Sequence, residues 1–220
     1  LMIKKLTTIS ALILIGTQLS ADGFNDNYLQ VGYTSSNYKF VDEIMDIKGS
    51  LEIGNGFSII GRYARETGDW YDPGEYETST YTGIKVGIGK VFDLNDNTDI
   101  TTSISYLDYD LKQTQKYNSS TTTTNTSSKT DGYIASVGIR NMSANDFETS
   151  LQINSWHGGK LKSKSNEIEL SIMKHLNDSL GIGFRALHHK AKPSVVYNSS
   201  RTVRHKASWT EYGLFVRTSF

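Results

Sequence analysis

Apolar and polar residues alternate along most of this chain with a period of two. Ten segments carry the pattern: 27–40, 42–53, 57–67, 79–93, 98–112, 131–142, 147–157, 165–175, 179–191 and 206–220. Alternation over such lengths predicts strands, because successive side chains of an extended backbone point to opposite faces. One face reads Leu29, Val31, Tyr33, then Met45, Ile47, Leu51, Ile53, then Phe57, Ile59, Tyr63, then Ile84, Val86, Ile88, Phe92. It continues through Ile100, Ile104, Tyr106, through Tyr133 to Ile139, Phe147 to Ile153, Ile168 to Ile172 and Leu180 to Phe184, and ends on Tyr212, Leu214, Val216 and Phe220. That face is almost free of charge. The opposite face holds Asp46, Lys48, Glu52, Arg62, Lys85, Arg140, Glu148, Glu167, Glu169, Arg185, Glu211 and Arg217, with Gly, Ser and Thr filling most of the gaps.

The connections between segments come in two kinds that take turns. Tight ones are GNG at 54–56, LNDN at 94–97, SAND at 143–146 and LND at 176–178, rich in residues that tolerate positive φ or bond their own backbone. The others are mostly longer and more polar, and both prolines, Pro73 and Pro193, fall in them, where no ladder N–H is lost. Such a succession predicts ten up-and-down strands with both chain ends on the tight-turn side; eight strands are the alternative, if residues 27–53 or 147–175 pair differently. The Ser/Thr/Asn tract at 118–129 cannot bury a core and is expected to be a mobile loop.

Composition narrows the class. The chain has 220 residues, enough for one domain, and its 23 basic residues balance 23 acidic ones, so no general field draws it to nucleic acid. There is no cysteine, hence neither a disulfide framework nor a thiolate site. Residues 1–21 have the layout of a secretory signal peptide: Lys4 and Lys5, an apolar run through Ile9–Gly16, and a small-residue cleavage site ending at Ala21. The mature domain is expected to comprise residues 22–220. Beyond the signal no stretch reaches the ~18 apolar residues that a spanning helix needs.

Two barrels remain, a soluble one with the apolar face inside and a membrane one with it outside. The charged face decides between them. Glycines at 83, 87, 89, 138, 181, 183 and 213 are costly on a free surface but make room for long neighbours in a narrow lumen. Equal numbers of Arg/Lys and Glu/Asp suit an enclosed network, since an unpaired buried ion costs several kcal/mol. Aromatics near segment ends, among them Tyr28, Tyr38, Phe40, Trp70, Tyr81, Phe92, Tyr109 and Trp209, suit interfacial girdles. The expected fold is all-β: a transmembrane antiparallel up-and-down β-barrel whose interior ions fill and rigidify the lumen.

The closing stretch EYGLFVRTSF resembles the C-terminal signature of Gram-negative outer-membrane proteins, a terminal aromatic preceded by apolar residues at alternate positions. The small porin-like and OmpA/OmpX-like barrels belong to this class. The resemblance implies an outer-membrane location, contact with membrane lipid and lipopolysaccharide, a monomer, and recognition of the last strand by the barrel-assembly machinery. Tyr212, Leu214, Val216 and Phe220 would form that signal; Thr218 departs, because an apolar residue is more usual there.

Candidate chemistry is sparse. Asp108 and Asp110, with His188 and His189, stand where the ten-stranded omptin proteases carry rim carboxylates and histidine, but no Asp-x-His occurs in the chain. Ser155 and His157 are spaced like the pair of lipid A deacylases, in reversed order. His157, His188, His189 and His205 have no spacing that aligns them as metal ligands. The expectation is therefore no catalytic centre, no cofactor and no metal, and a structural or surface-interaction role through the loops. The loop residues Lys192, Arg201, Arg204, His205 and Lys206 offer positive charge for lipopolysaccharide phosphates or an acidic polymer. A small porin is the alternative, although ten strands lie near the eight that side chains fill.

Overall fold

The computed structural model describes residues 24–38, 41–72, 75–117, 123–158, 164–191, 195–198, 201–204 and 207–220; the proposed signal segment, 1–21, lies outside them. Twelve strands form: β1 Tyr28–Tyr38, β2 Val41–Gly54, β3 Phe57–Asp72, β4 Glu75–Asn95, β5 Thr98–Tyr117, β6 Thr123–Met142, β7 Phe147–Gly158, β8 Lys164–Asn177, β9 Leu180–Ala191, β10 Val195–Asn198, β11 Arg201–Arg204 and β12 Ala207–Ser219. Ten of them close an antiparallel barrel in the order β1-β12-β9-β8-β7-β6-β5-β4-β3-β2, and β10 pairs with β11 as a separate hairpin within the β9–β12 connection. The eight-stranded alternative is thereby excluded. The seam is the pairing of the two chain ends, with Gln30 opposite Arg217, Val31 opposite Val216 and Tyr33 opposite Leu214.

The tight turns form where Gly, Asn and Asp predicted them. Gly54, Asn55 and Gly56 all take positive φ (110°, 54° and 69°), and Asp146 does so in the β6–β7 turn (56°). Opposite these turns the barrel is taller than its sequence pattern suggested. β4, β5 and β6 run 21, 20 and 20 residues, and the tract expected to be a loop at 118–129 contributes Thr123–Lys129 to β6, leaving 118–122 outside the described residues. The reason is local: threonine is β-branched and fits an extended ladder, so a polar Thr/Ser run needs no apolar burial to continue one. Cross-strand hydrogen bonds such as Thr114 Oγ1 to Asn125 Oδ1 (3.0 Å) tie this polar wall together.

The apolar face points outward and is exposed all round the barrel, for example at Leu151, Ile153, Val86, Ile88 and Ile104. It is ordered by height. Phe57, Phe92, Phe147 and Phe220 ring the tight-turn end, and Tyr33, Tyr63, Tyr106, Tyr133 and Tyr212 ring the other edge of the belt. From Phe92 to Ile84 a strand tilted by ~40° climbs roughly 20 Å, close to the height of a bilayer's apolar band. At the phenylalanine ring Lys90 Nζ sits 4.4 Å from the centroid of Phe57 and Lys174 Nζ 5.1 Å from that of Phe147, so long cations cover aromatic faces while their heads reach water.

Candidate functional site

The barrel's chemistry lies in its lumen, which the second residue of every alternating pair faces. Three ion-pair groups cross it near the tight-turn end. Asp46 on β2 takes Arg185 of β9 through Nη1 (3.0 Å) and Nη2 (2.6 Å), and Nε of its neighbour Arg62 at 2.8 Å. Thr34 accepts two further bonds from Arg185, through Nε at 3.1 Å and Nη2 at 2.7 Å. Arg217 on β12 reaches Glu148 on β7 at 3.0 and 3.1 Å, and His175 Nε2 lies 3.2 Å from the same carboxylate. Arg140 on β6 binds Asp99 through Nε (2.9 Å) and grips Asp26 with two parallel bonds (2.7 and 3.1 Å). Asp26 belongs to the segment 24–27 leading into β1, the strand diametrically opposite β6 in the barrel order. That segment lies across the mouth: Phe24 covers the Arg140 guanidinium at 4.3 Å, and Asn27 accepts the N–H of Phe220.

Of the interior ions expected from the sequence, Asp46, Arg62, Arg140, Glu148, Arg185 and Arg217 are brought together in this way, while Lys48, Lys85, Glu167 and Glu169 line the same cavity. Glu167 and Glu211 meet higher up, on either side of His189 (3.2 and 3.0 Å). Glu52 does not join them. It is exposed beside the 54–56 turn, one pair below Ser50, where its backbone N–H bonds Asn27 Oδ1 at 2.8 Å. The pairing also draws on groups outside that set, Asp26, Asp99, His175 and His189, while Glu66 and Glu77 accept hydrogen bonds from neutral partners. For His189 the signal was present, since it follows the inward Arg185 and Leu187 at the same alternate spacing.

Between the two ends stands a layer formed by Arg62, Lys85, Asn154 and Glu167, which line both a lower cavity of about 140 Å³ and an upper one of about 400 Å³. In the upper cavity Tyr109 donates to Glu66 (3.1 Å), Asn154 to Glu167 (2.6 Å) and Trp209 Nε1 to Glu211 (2.9 Å). Trp209 stacks on His189 (4.5 Å, 5°) and packs against Tyr38 (4.6 Å). Gly83 and Gly183 show why small residues were needed: a Cβ at either would come within 2.6 Å of Tyr109 or 2.3 Å of Phe215, respectively.

The belt outside and the ion-paired lumen inside invert the arrangement of a water-soluble barrel. The chain has the fold of an outer-membrane β-barrel. No family model matches the sequence, and no curated protein matches it. Among solved structures, the β-domain of the Bordetella autotransporter BrkA superposes with a TM-score of 0.51 at 10% identity, over 90% of this chain and 100% of that one. The NanC porin gives 0.49 at 13% identity, over 87% of this chain and 100% of that one. Ail, the attachment invasion locus protein of Yersinia pestis, gives 0.42 at 12%, over 89% and 99%. The BrkA likeness speaks for the fold alone. With the apolar belt, that fold is the one outer-membrane barrels use, in which tight turns generally face the periplasm and longer connections face outward.

The remaining candidates are scattered. Asp108 points outward just above the tyrosine edge of the belt, directly opposite Asp131, whose carboxylate accepts from Tyr106 (3.4 Å), and Asp110 lies beyond it within reach of Ser127. Ser155 Oγ and His157 Nε2 do approach, at 3.3 Å, on the outer face, where the other partner of Ser155 is Asn166. His188 bonds Thr210 and Ser208 outside while His189 points inside, so the two adjacent histidines serve opposite faces. Among the described residues no group of His, Asp and Glu has the arrangement of a metal site. Lys192, His205 and Lys206 lie outside the described residues.

Proposed function

We propose that this protein is a surface-interaction barrel: a rigid, poorly conducting membrane anchor that carries a polar sheet for contacts outside the cell. One observation carries the reading. Above the belt β3–β6 continue as a sheet whose β6 edge has no neighbour among the described residues, because β7 stops at Gly158, opposite Gly132, while β6 extends to Thr123. From Tyr106 to Tyr117 this wall rises about 30 Å. Its outer residues, Thr123–Lys129, are all exposed, and Tyr71 opposes Tyr76 near the β3–β4 tip with both rings exposed. An unpaired strand edge is a template for adding an extended segment of a partner, and exposed tyrosines are common anchors. The ion pairs crossing the lumen support the anchor half of the reading, since they replace a water path with side chains.

The partners implied are lipopolysaccharide around the wall and an extended polypeptide or polymer of the host or a neighbouring cell at its edge. The test removes the β5–β6 part of the wall, with its unpaired edge, and spares the barrel. Gln113–Thr126 are replaced by Asn-Gly, joining Lys112 to its cross-strand partner Ser127. Cells bearing the shortened protein should keep a heat-modifiable barrel in the outer membrane and lose adherence to immobilised matrix. Unchanged adherence would overturn the reading. The small-porin reading draws on the lumen volume and is separated by planar-bilayer recording: large, stable single-channel steps would favour it.

A further inference from the structure

The upper cavity is open toward the outside and has walls that are largely aromatic and apolar, including Tyr81, Leu107, Tyr109, Leu111 and Trp156. Its volume of about 400 Å³ is that of a small-molecule site. The hydrogen bonds inside it are unevenly settled. Its carboxylates are provided for, Glu66 by Tyr109, Glu167 by Asn154 and Glu211 by Trp209, with His189 between the last two. The groups left over are donors. Trp156 Nε1 and Thr130 Oγ1 are buried with no partner among the described residues, and the Lys85 ammonium, which shares the cavity floor with Glu167, makes no ion pair within 4 Å among them.

These donors sit on one side of the barrel, on β4, β6 and β7. Leu107 of β5 lies opposite both Lys85 and Gly132. The indole of Trp156 lies over Gly132, where a Cβ would come within 2.8 Å of Nε1, and Thr130 is the next inward position above. A buried N–H without an acceptor costs about 1–3 kcal/mol, and a group that supplies an acceptor there recovers it. A carboxylate also answers the lone ammonium, and a ring or chain behind it answers the aromatic wall.

We propose that this cup is a binding site for an apolar or aromatic carboxylic acid, held with its carboxylate toward Lys85 and the Trp156 N–H and its ring against Tyr109. An amine would leave the Trp156 N–H and the Lys85 ammonium uncovered. The site is independent of the polar wall, so the shortened protein described above keeps it.

The test is titration calorimetry on the full chain in lipid nanodiscs, with 3-phenylpropionate as probe and 3-phenylpropionamide and phenethylamine as controls. The acid should bind saturably, the amide at least tenfold more weakly, and the amine not at all. Trp156→Phe keeps the ring and removes the N–H; it should weaken the acid about tenfold, and Lys85→Met at least as much. Heat-modifiable migration checks that each variant is folded, and if Lys85→Met fails there, Trp156→Phe decides. Absence of saturable binding by the acid, equal binding by the amine or the amide, or unchanged affinity in Trp156→Phe overturns the proposal.

Discussion

Asp46 is the single carboxylate between two arginines, and its removal is the sharpest test of the lumen. Asp46 and Arg185 are 2% exposed, and Asp46→Ala deletes both bonds from Arg185 and the one from Arg62, leaving two guanidinium groups facing each other. Breaking a buried pair from one side costs about 3–5 kcal/mol because the remaining charge is uncompensated. Here the expected loss is about 3 kcal/mol, the low end, since Arg62 and Arg185 also line the 140 Å³ lower cavity, which can admit water. Arg185→Met alone leaves Asp46 with Arg62 and should cost about 1 kcal/mol. In the double variant one of the two guanidinium groups that Asp46→Ala stranded is gone and Arg62 no longer faces Arg185, so the two losses should fail to add by about 2 kcal/mol. Urea unfolding of the refolded protein in lipid vesicles, read by tryptophan fluorescence and by heat-modifiable migration, measures all three. A loss below about 1 kcal/mol for Asp46→Ala, or strict additivity in the double variant, would refute the idea that the pair network holds the lumen.

Three further outcomes follow from the belt, the glycines and the seam. Val86→Arg sets a charge at mid-belt and should cost about 2–4 kcal/mol in the same assay, whereas Thr78→Arg, above the belt on the same strand, should cost less than about 1 kcal/mol; equal losses would mean the belt is misplaced. Gly183→Ala pushes a methyl toward the Phe215 ring and the Ile172 carbonyl, 2.3 and 2.7 Å from its Cβ position, and should cost about 2 kcal/mol by overpacking, which an accompanying Phe215→Leu would relieve. Deleting Phe220, the proposed end of the assembly signal, should lower the yield of folded barrel in cells while leaving refolding into detergent nearly unchanged; a parallel loss in both would mark the residue as structural.

Much of this architecture was legible in the sequence because a membrane barrel has few ways to satisfy its backbone. Each strand must alternate, each even connection must be tight, and the last strand must meet the first, so Leu29 to Tyr33 and Tyr212 to Phe220 could be set on the outer face from spacing alone. The wall was not legible. Thr, Ser and Asn between 118 and 129 have the composition of a disordered segment, and only pairing with β5 makes Thr123–Lys129 a strand. Which charge meets which was also hidden. Arg140 finds Asp26 across the full width of the barrel, and that meeting depends on strand tilt and stagger, which no local pattern encodes. Asp99 fell at the start of the segment 98–112 and Asp26 just ahead of the first segment, and neither was among the expected interior ions, although both close on Arg140.

The cross-lumen pairs also bear on the order in which the barrel can be made. Asp46 and Arg185 are separated by 139 residues, Asp26 and Arg140 by 114, and Gln30 and Arg217, which bond at 3.2 Å, by 187. None of these pairs can form while the sheet is still open, since each spans the gap that the β1–β12 seam closes or belongs to the seam itself. Until then an unfinished sheet has only the pairs between adjacent strands, such as Arg62 with Asp46 and Arg140 with Asp99. Closure in the right register delivers the cross-lumen pairs together, whereas a seam slipped by one residue would turn Arg217 toward lipid and strand Glu148 inside. The lumen thus acts as a combination lock on assembly, rewarding only the one alignment in which the whole charge set matches.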